Sequence, residues 1–436
     1  MSDDVEHAGS GIQPWMVANL AMGAGFSAFI ALLVPPYVTE VTSDATAAGV
    51  VMAVISLAAM LGPVIGTFAD RHGAHRLVMS LGVFGLSVGF AAFALASESA
   101  SFYAIDAIVL GVSVAATSAV GPVFVVGLGL SRTVEAKRMT GYSLAMPAGQ
   151  VIGGLMVGGA AAAGWSYSSR FWLAAGSCLV LAVLTWITSK EPERQLHAVM
   201  YASTADASDA GAVDDTAGAS KRQPASAAKV PLRQILGSMF GLFLLVSVLT
   251  SMANNGINSQ ISNIMPNVYG ISEAETSTLI SVAGVLNMIL FVPAGRLMAK
   301  RGALPTYSLG VAMRLVGALG MAVVGMVSNS PALLAVGFMQ LLYQANPFAR
   351  LAQPGTAVRF ASFPAGMANG WLIAGSALGS FIGALLGGVL ADAYGFNAVN
   401  WMGAGAAAGS IVLVVLGLWP AKEEDTEVAQ AGVRSE

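Results

Sequence analysis

The chain has 436 residues, of which 56% are hydrophobic and only 10% charged, with a formal net charge of −3; its mean hydropathy is +0.73. A soluble domain carries about 25% charged residues, so this chain has too few to clothe a water-facing surface. The same figures exclude a disordered chain, a coiled coil and a disulfide scaffold, and leave a polytopic membrane protein.

A helix needs about 20 apolar residues to cross the hydrocarbon core. In chain order the apolar runs predict twelve spans: 14–38, 47–69, 75–97, 101–129, 141–164, 170–189, 234–265, 275–299, 304–328, 331–351, 362–391 and 396–419. The runs are continuous rather than alternating, which excludes a membrane β-barrel. Met1–Gly11 is acidic (Asp3, Asp4, Glu6), unlike the basic start of a cleavable signal, so the first span is expected to stay in the membrane. All of the 20 basic residues except Arg170 and Arg314 fall on one side of this map, Arg350 among them as a loop residue. Positive charge marks the cytoplasmic face, so both termini are expected there. Residues 1–13 are then an N-terminal tail, 14–190 a first six-helix bundle, 191–232 a cytoplasmic linker, 233–420 a second bundle and 421–436 a C-terminal tail. Within the linker, Thr204–Lys229 is rich in Ala, Ser and Asp, has no aromatic residue and reads as disordered.

The halves repeat. Gly66-Thr-Phe-Ala-Asp70-Arg71-His72-Gly73 follows span 2, and Gly295-Arg-Leu-Met-Ala299-Lys300-Arg301-Gly302 follows span 8. Repeated helical bundles are characteristic of secondary transporters, whose substrate site lies near the midplane between the repeats. The single cysteine, Cys178, allows no disulfide, and none of the four histidines lies in the interior of a span, so neither metal nor cofactor is expected. No Walker motif is present to bind ATP. No nucleophile–base pair is placed within the membrane, so the chain is not read as an enzyme.

Ionisable groups inside a span are functional candidates by default. Asp106, one turn inside span 4 and aligned with Ser113 and Thr117, is the proton-coupling candidate; a hydrated outer rim is its alternative setting. Arg314 in span 9 is read as packing or snorkelling. Amides unpaired in lipid are costly, so the polar residues of the spans should face an interior cavity. The candidate substrate-cavity set is Asn19, Phe26, Gln150, Asn254, Asn255, Asn258, Asn287, Gln340, Tyr343, Gln344, Asn369 and Ser376. Gly256 is expected to loosen span 7 among its asparagines.

The six-plus-six spans, the central linker and the loop Gly66, Asp70, Arg71, Gly73 and Arg76 together resemble the major facilitator superfamily over the whole chain. That resemblance implies an all-α membrane protein of two six-helix bundles. It also implies a conformational latch at the five loop residues, with Asp70 facing the start of helix 11 when the outside is open. Pro147 with Gly149, Gly153 and Gly154 resembles the family's antiporter motif, although Met146 and Gln150 depart from it. It implies a smooth face of span 5 against the opposite half. Gly256-Ile257-Asn258 resembles part of the sugar porters' motif, but Met252 and Ala253 stand where its paired glutamines belong. The function so implied is secondary transport of a small organic solute, leaning to proton-linked efflux; proton-coupled uptake or uniport is the alternative. A receptor or assembly factor with a transporter fold is a remoter one. The expected partners are the solute, protons and the lipid bilayer, with no nucleic acid. A monomer in a bacterial inner membrane is expected.

Overall fold

Backbone amides find no water in hydrocarbon, so a chain this apolar must satisfy them within helices. The computed structural model describes residues 11–96, 100–128, 130, 132–209, 233, 237–327, 331–362 and 365–419, and among them all regular elements are helical. The first half holds α1 (Pro14–Thr42), α2 (Ala45–His72), α3 (His75–Leu95), α4 (Ala100–Val120), α5 (Arg132–Ala162) and α6 (Tyr167–Thr188). The second holds α7 (Met239–Asn258 continued by Ile261–Tyr269), α8 (Glu273–Arg301), α9 (Ala303–Val324), α10 (Ala332–Phe360), α11 (Ala365–Tyr394) and α12 (Asn397–Leu418). Each predicted span falls on one of these helices. Among the described residues, 11 helices are long and apolar enough to cross a membrane. α10 has 29 residues but is diluted by Gln340, Gln344, Asn346, Arg350 and Gln353.

Local chemistry sets the helix ends. Asp44 Oδ1 accepts from the amides of Thr46 and Ala47 at 2.6 and 3.2 Å and starts α2. Ser272 and Glu275 form a reciprocal capping box at the start of α8. Gly73 and Gly302, the last glycines of the two loop copies, have φ of +60° and +87°. That left-handed turn explains why both copies end on glycine. Several helices are irregular: α2 is interrupted at Met60–Leu61, and α12 ends in a π-helical turn over Val414–Leu418. α1 widens into a π-helical stretch over Gly23–Ile30. α7 breaks at Ser259–Gln260 and not at Gly256, which corrects the expectation for that glycine. A Cβ at Gly256 would lie 2.3 Å from Met402 Cε and 3.0 Å from Gly383 O. Gly256 serves close approach of neighbouring helices and leaves its own helix intact.

The linker also begins later than expected. Lys190–Asp209 is a helix. Leu196 is buried in a cluster with Phe124 and Leu128, and His197 Nε2 lies 2.9 Å from Gly73 O. Glu193 accepts from the Arg76 amide at 3.2 Å. These contacts dock its first turns onto the first bundle, and the helical backbone runs on to Asp209. Residues 210–229 lie outside the described residues.

The two bundles meet along three seams and touch most closely at the face opposite the basic loops. In the α2–α11 seam a Cβ at Gly49 would stand 2.7 Å from Gly388 Cα, so only glycine permits that approach. In the α5–α8 seam Gly154 and Gly158 pack on Ser281 and Ser277. Gly149 and Gly153 instead abut Leu20 and Ala24 of α1. The glycine face of α5 is therefore shared between its own bundle and the other half. In the α1–α7 seam Ser262 Oγ donates to Ala31 O at 3.0 Å, and Asn263 Nδ2 to Thr39 Oγ1 at 3.0 Å. A latch closes the same face: Arg170 Nη1 donates to Glu273 Oε2 at 2.6 Å, and the Tyr167 hydroxyl donates to the same carboxylate. Towards the basic loops the seams part. One groove, lined in part by Met139, Ser143, Phe291 and Gly295, runs between α5 and α8. Another, lined in part by Met60, Leu244, Trp371 and Gly375, runs between α2, α7 and α11.

The latch yields a test. Hydrogen bonds to charged groups contribute about 1.5–3 kcal/mol, and with Glu273 partly solvent-screened about 1 kcal/mol is expected. Glu273→Gln should shift the population several-fold toward opening at this face. A cysteine placed at Asn258 should then react several-fold faster with an impermeant thiol reagent added from that side. An unchanged rate would remove the latch from the closing mechanism.

Candidate functional site

Where the helices separate they leave a central cavity of two adjoining lobes. The first is lined by residues from both bundles, including Phe26, Ser27, Gln150, Asn254, Asn258 and Arg350. The second adds Ser143, Pro147 and Asn287. α1, α2 and α5 supply one wall, α7, α8 and α10 the other.

Seven residues of the predicted cavity set line these lobes: Phe26, Gln150, Asn254, Asn255, Asn258, Asn287 and Tyr343. Helical spacing on α7 brings Asn254, Asn255 and Asn258 to one face. The side-chain carbonyls of Asn254, Asn258 and Asn287 have no hydrogen-bond partner. Asn255 donates across the seam to Ser56 Oγ at 3.1 Å and within its own bundle to Ser380 O at 3.0 Å. Gln150 donates to Ile280 O at 3.2 Å, also from one bundle to the other.

The other five lie away from the lobe linings, and four of them have hydrogen-bond partners there. Asn19 donates to Tyr142 O at 2.5 Å and joins α1 to α5. Gln340 and Gln344 donate to Leu279 O and Ala283 O, at 2.9 and 3.4 Å, and join α10 to α8. Ser376 accepts from Gln353 at 3.3 Å. Asn369, on α11, has an unpartnered carbonyl. A polar side chain inside a span needs a partner, and a neighbouring carbonyl serves as well as a cavity. Periodicity cannot tell the two apart.

The loop residues bond within their own bundle. Asp70 Oδ1 lies 2.8 Å from His75 Nε2. Arg76 Nε donates to Trp186 O at 2.8 Å, and its guanidinium stacks 3.8 Å over the Trp186 ring. Gly66 faces Ala119 of α4, Gly73 makes the turn, and Arg71 is exposed.

The two ionisable groups expected inside spans are both buried. Asp106 is 4% exposed, so it is not a rim residue. It lies against Gly89 of α3, its Oδ2 lacks a partner, and it is not among the residues of either lobe. Ser113 and Thr117 follow it down the helix, each against a glycine of α3, Gly85 and Gly82. Arg314 is 3% exposed and points inward, so it does not snorkel. Its Nη2 donates to Asn346 Oδ1 at 2.9 Å and its Nη1 to Thr250 O at 3.5 Å.

Sequence reasoning missed Asn346 and Arg350. Arg350 is a cavity residue of α10, not a loop residue, because the helix continues to Phe360 after its apolar run fades. The signal was present in the spacing: Tyr343, Asn346 and Arg350 lie three and four apart, on one helical face.

Known proteins place this architecture. No curated protein matches the chain. Among solved structures, a D-xylose–proton symporter is 15% identical, with a TM-score of 0.67 over 92% of this chain and 96% of that one. The nucleoside transporter NupG is 13% identical, with a TM-score of 0.65 over 92% and 97%. A bacterial homologue of the human lysosomal transporter Spinster is 15% identical, with a TM-score of 0.65 over 92% and 93%. The family model of the Major Facilitator Superfamily matches residues 15–353 and 243–434. With two six-helix halves around one polar cavity and that match along its length, the chain belongs to the Major Facilitator Superfamily.

Proposed function

We propose that this membrane transporter moves a small polar organic solute by alternating access, with the central cavity as the binding site. One observation carries the reading: both bundles line the cavity, and they are sealed at one face and parted at the other. A rocking of one bundle against the other would exchange the open and closed ends around a fixed site. The distribution of Lys and Arg supports a cytoplasmic location for the parted face. The conformation is then inward-open, and a bacterial inner membrane accommodates this orientation.

Proton-linked efflux is the direction favoured by the Pro147–Gly154 segment. The second reading, proton-coupled uptake, draws on the cavity itself, whose wall of asparagine and glutamine suits a hydrophilic metabolite better than a lipophilic drug. In either direction Asp106 is the proton carrier we propose. It is a buried carboxyl without a hydrogen bond to Oδ2, in the bundle that must move, and no Asp or Glu lines the lobes. A single monomer contains the whole cavity.

The experiment begins with a thermal-shift screen of the purified protein to find a solute, followed by flux in proteoliposomes with an imposed pH gradient. Asp106→Asn should reduce gradient-driven accumulation to equilibration, while solute exchange stays within about twofold of wild type. A mutant that still accumulates in response to the gradient would exclude Asp106 from coupling.

The loop motif gives a second expectation. Asp70 is remote from the lobes and acts on the conformational equilibrium. Asp70→Asn should lower turnover about tenfold and leave solute Kd within about twofold. Lost affinity with an unchanged conformational distribution would refute that role.

A further inference from the structure

One residue of the cavity wall carries a full charge. Arg350 follows Tyr343 and Asn346 on the face of α10 that lines the first lobe, and it is exposed there. Its contact across the cavity is Met146 Sδ at 3.6 Å, a weak acceptor that balances no charge. No Asp or Glu lines either lobe, and none of the ion pairs among the described residues involves Arg350.

A second cation stands behind the same wall. Arg314 donates to Asn346 Oδ1. Arginine has only donors, so this bond fixes the amide with its carbonyl toward Arg314. Asn346, itself part of the lobe lining, keeps its N–H₂ group for another acceptor. Arg314 is sealed from the cavity and Arg350 is open to it. The wall therefore offers one accessible positive charge, one oriented amide donor and no negative charge.

Alternating access makes this imbalance consequential. When the parted end closes, water leaves the cavity and Arg350 loses its solvation. An uncompensated cation there is costly, and a ligand carboxylate relieves that cost through paired N–H···O bonds. A neutral solute leaves the cost in place. We infer that the transported solute is a small organic monoanion, its carboxylate held by Arg350 and the Asn346 amide. Its uncharged part lies between Phe26 and Met52 on one side and the unpartnered amides of Asn254 and Asn258 on the other. One accessible guanidinium matches one negative charge; a dianion would leave half its charge unmatched. This inference rests on the reading of the cavity as the transport site.

The test uses the full-length purified protein and sodium lactate, sodium benzoate and sodium gluconate, each paired with its uncharged primary amide at matched ionic strength. Thermal unfolding of wild type should show saturable stabilisation by at least one carboxylate and none by its amide. Arg350→Gln should raise the Kd of that carboxylate at least tenfold, with Arg350→Lys in between. Wild type alone decides the charge preference should Arg350→Gln not fold, and Arg350→Lys then reports the residue. Absence of stabilisation by any of the three carboxylates, equal stabilisation by acid and amide, or equal affinity in the variants would overturn the inference. Counterflow in proteoliposomes separates the two readings. Carboxylate binding through Arg350 without counterflow would retire transport and keep the anion site. Counterflow of uncharged xylose or uridine, undiminished in Arg350→Gln, would retire the anion site and keep transport.

Discussion

An amide or a guanidinium inside hydrocarbon has only other parts of the protein for its hydrogen bonds. Most of this structure follows from that constraint. Asn19, Gln340 and Gln344 meet it by donating to backbone carbonyls of neighbouring helices. Asn255 and Gln150 meet it across the seam, so the polar groups that stitch the halves together also border the cavity. Asn254, Asn258 and Asn287 leave their carbonyls unmet and gather around the cavity. Polar groups left over from helix packing mark the place where a ligand or water must stand in.

A transporter needs this stitching to be reversible. Hydrogen bonds between membrane helices contribute about 0.6 kcal/mol each. The closed face relies on a few of these, on glycine crossings such as Gly49 with Gly388, and on the Arg170–Tyr167–Glu273 group. A ligand that binds one conformation better than the other shifts the balance between them. Within each bundle aromatic pairs fix the packing: Phe29 with Phe90 and Phe93 with Phe171 in the first, Phe243 with Tyr307 in the second.

The charges divide in the same way. Asp70 with His75, and Arg76 with Trp186, are held at the basic-loop end within one bundle. Asp106 is buried between α3 and α4 of the first bundle, and Arg350 stands in the wall contributed by the second. The proposed proton and anion sites stand on different bundles and would sense each other through the bundles' relative position.

Sequence alone determined the parts that depend on local composition. Twelve apolar runs, the one-sided Lys and Arg and the repeated glycine-ended loop gave the helices, their pairing into halves and the family. Those features are set by solvent transfer and backbone sterics, which act residue by residue. Six polar cavity residues were legible because a polar side chain in a span must turn inward, and Phe26 was legible from its place two turns from Asn19. Tertiary structure decided where inward led. It sent Asn19, Gln340 and Gln344 to helix carbonyls, and brought Arg350 into the cavity when α10 outran its apolar stretch. It placed Asp106 behind α3, divided the glycines of α5 between two neighbours and continued α6 into a docked linker helix. Each outcome rests on which surface lies across the gap. A helix's own sequence specifies the face it buries but not the partner it meets there.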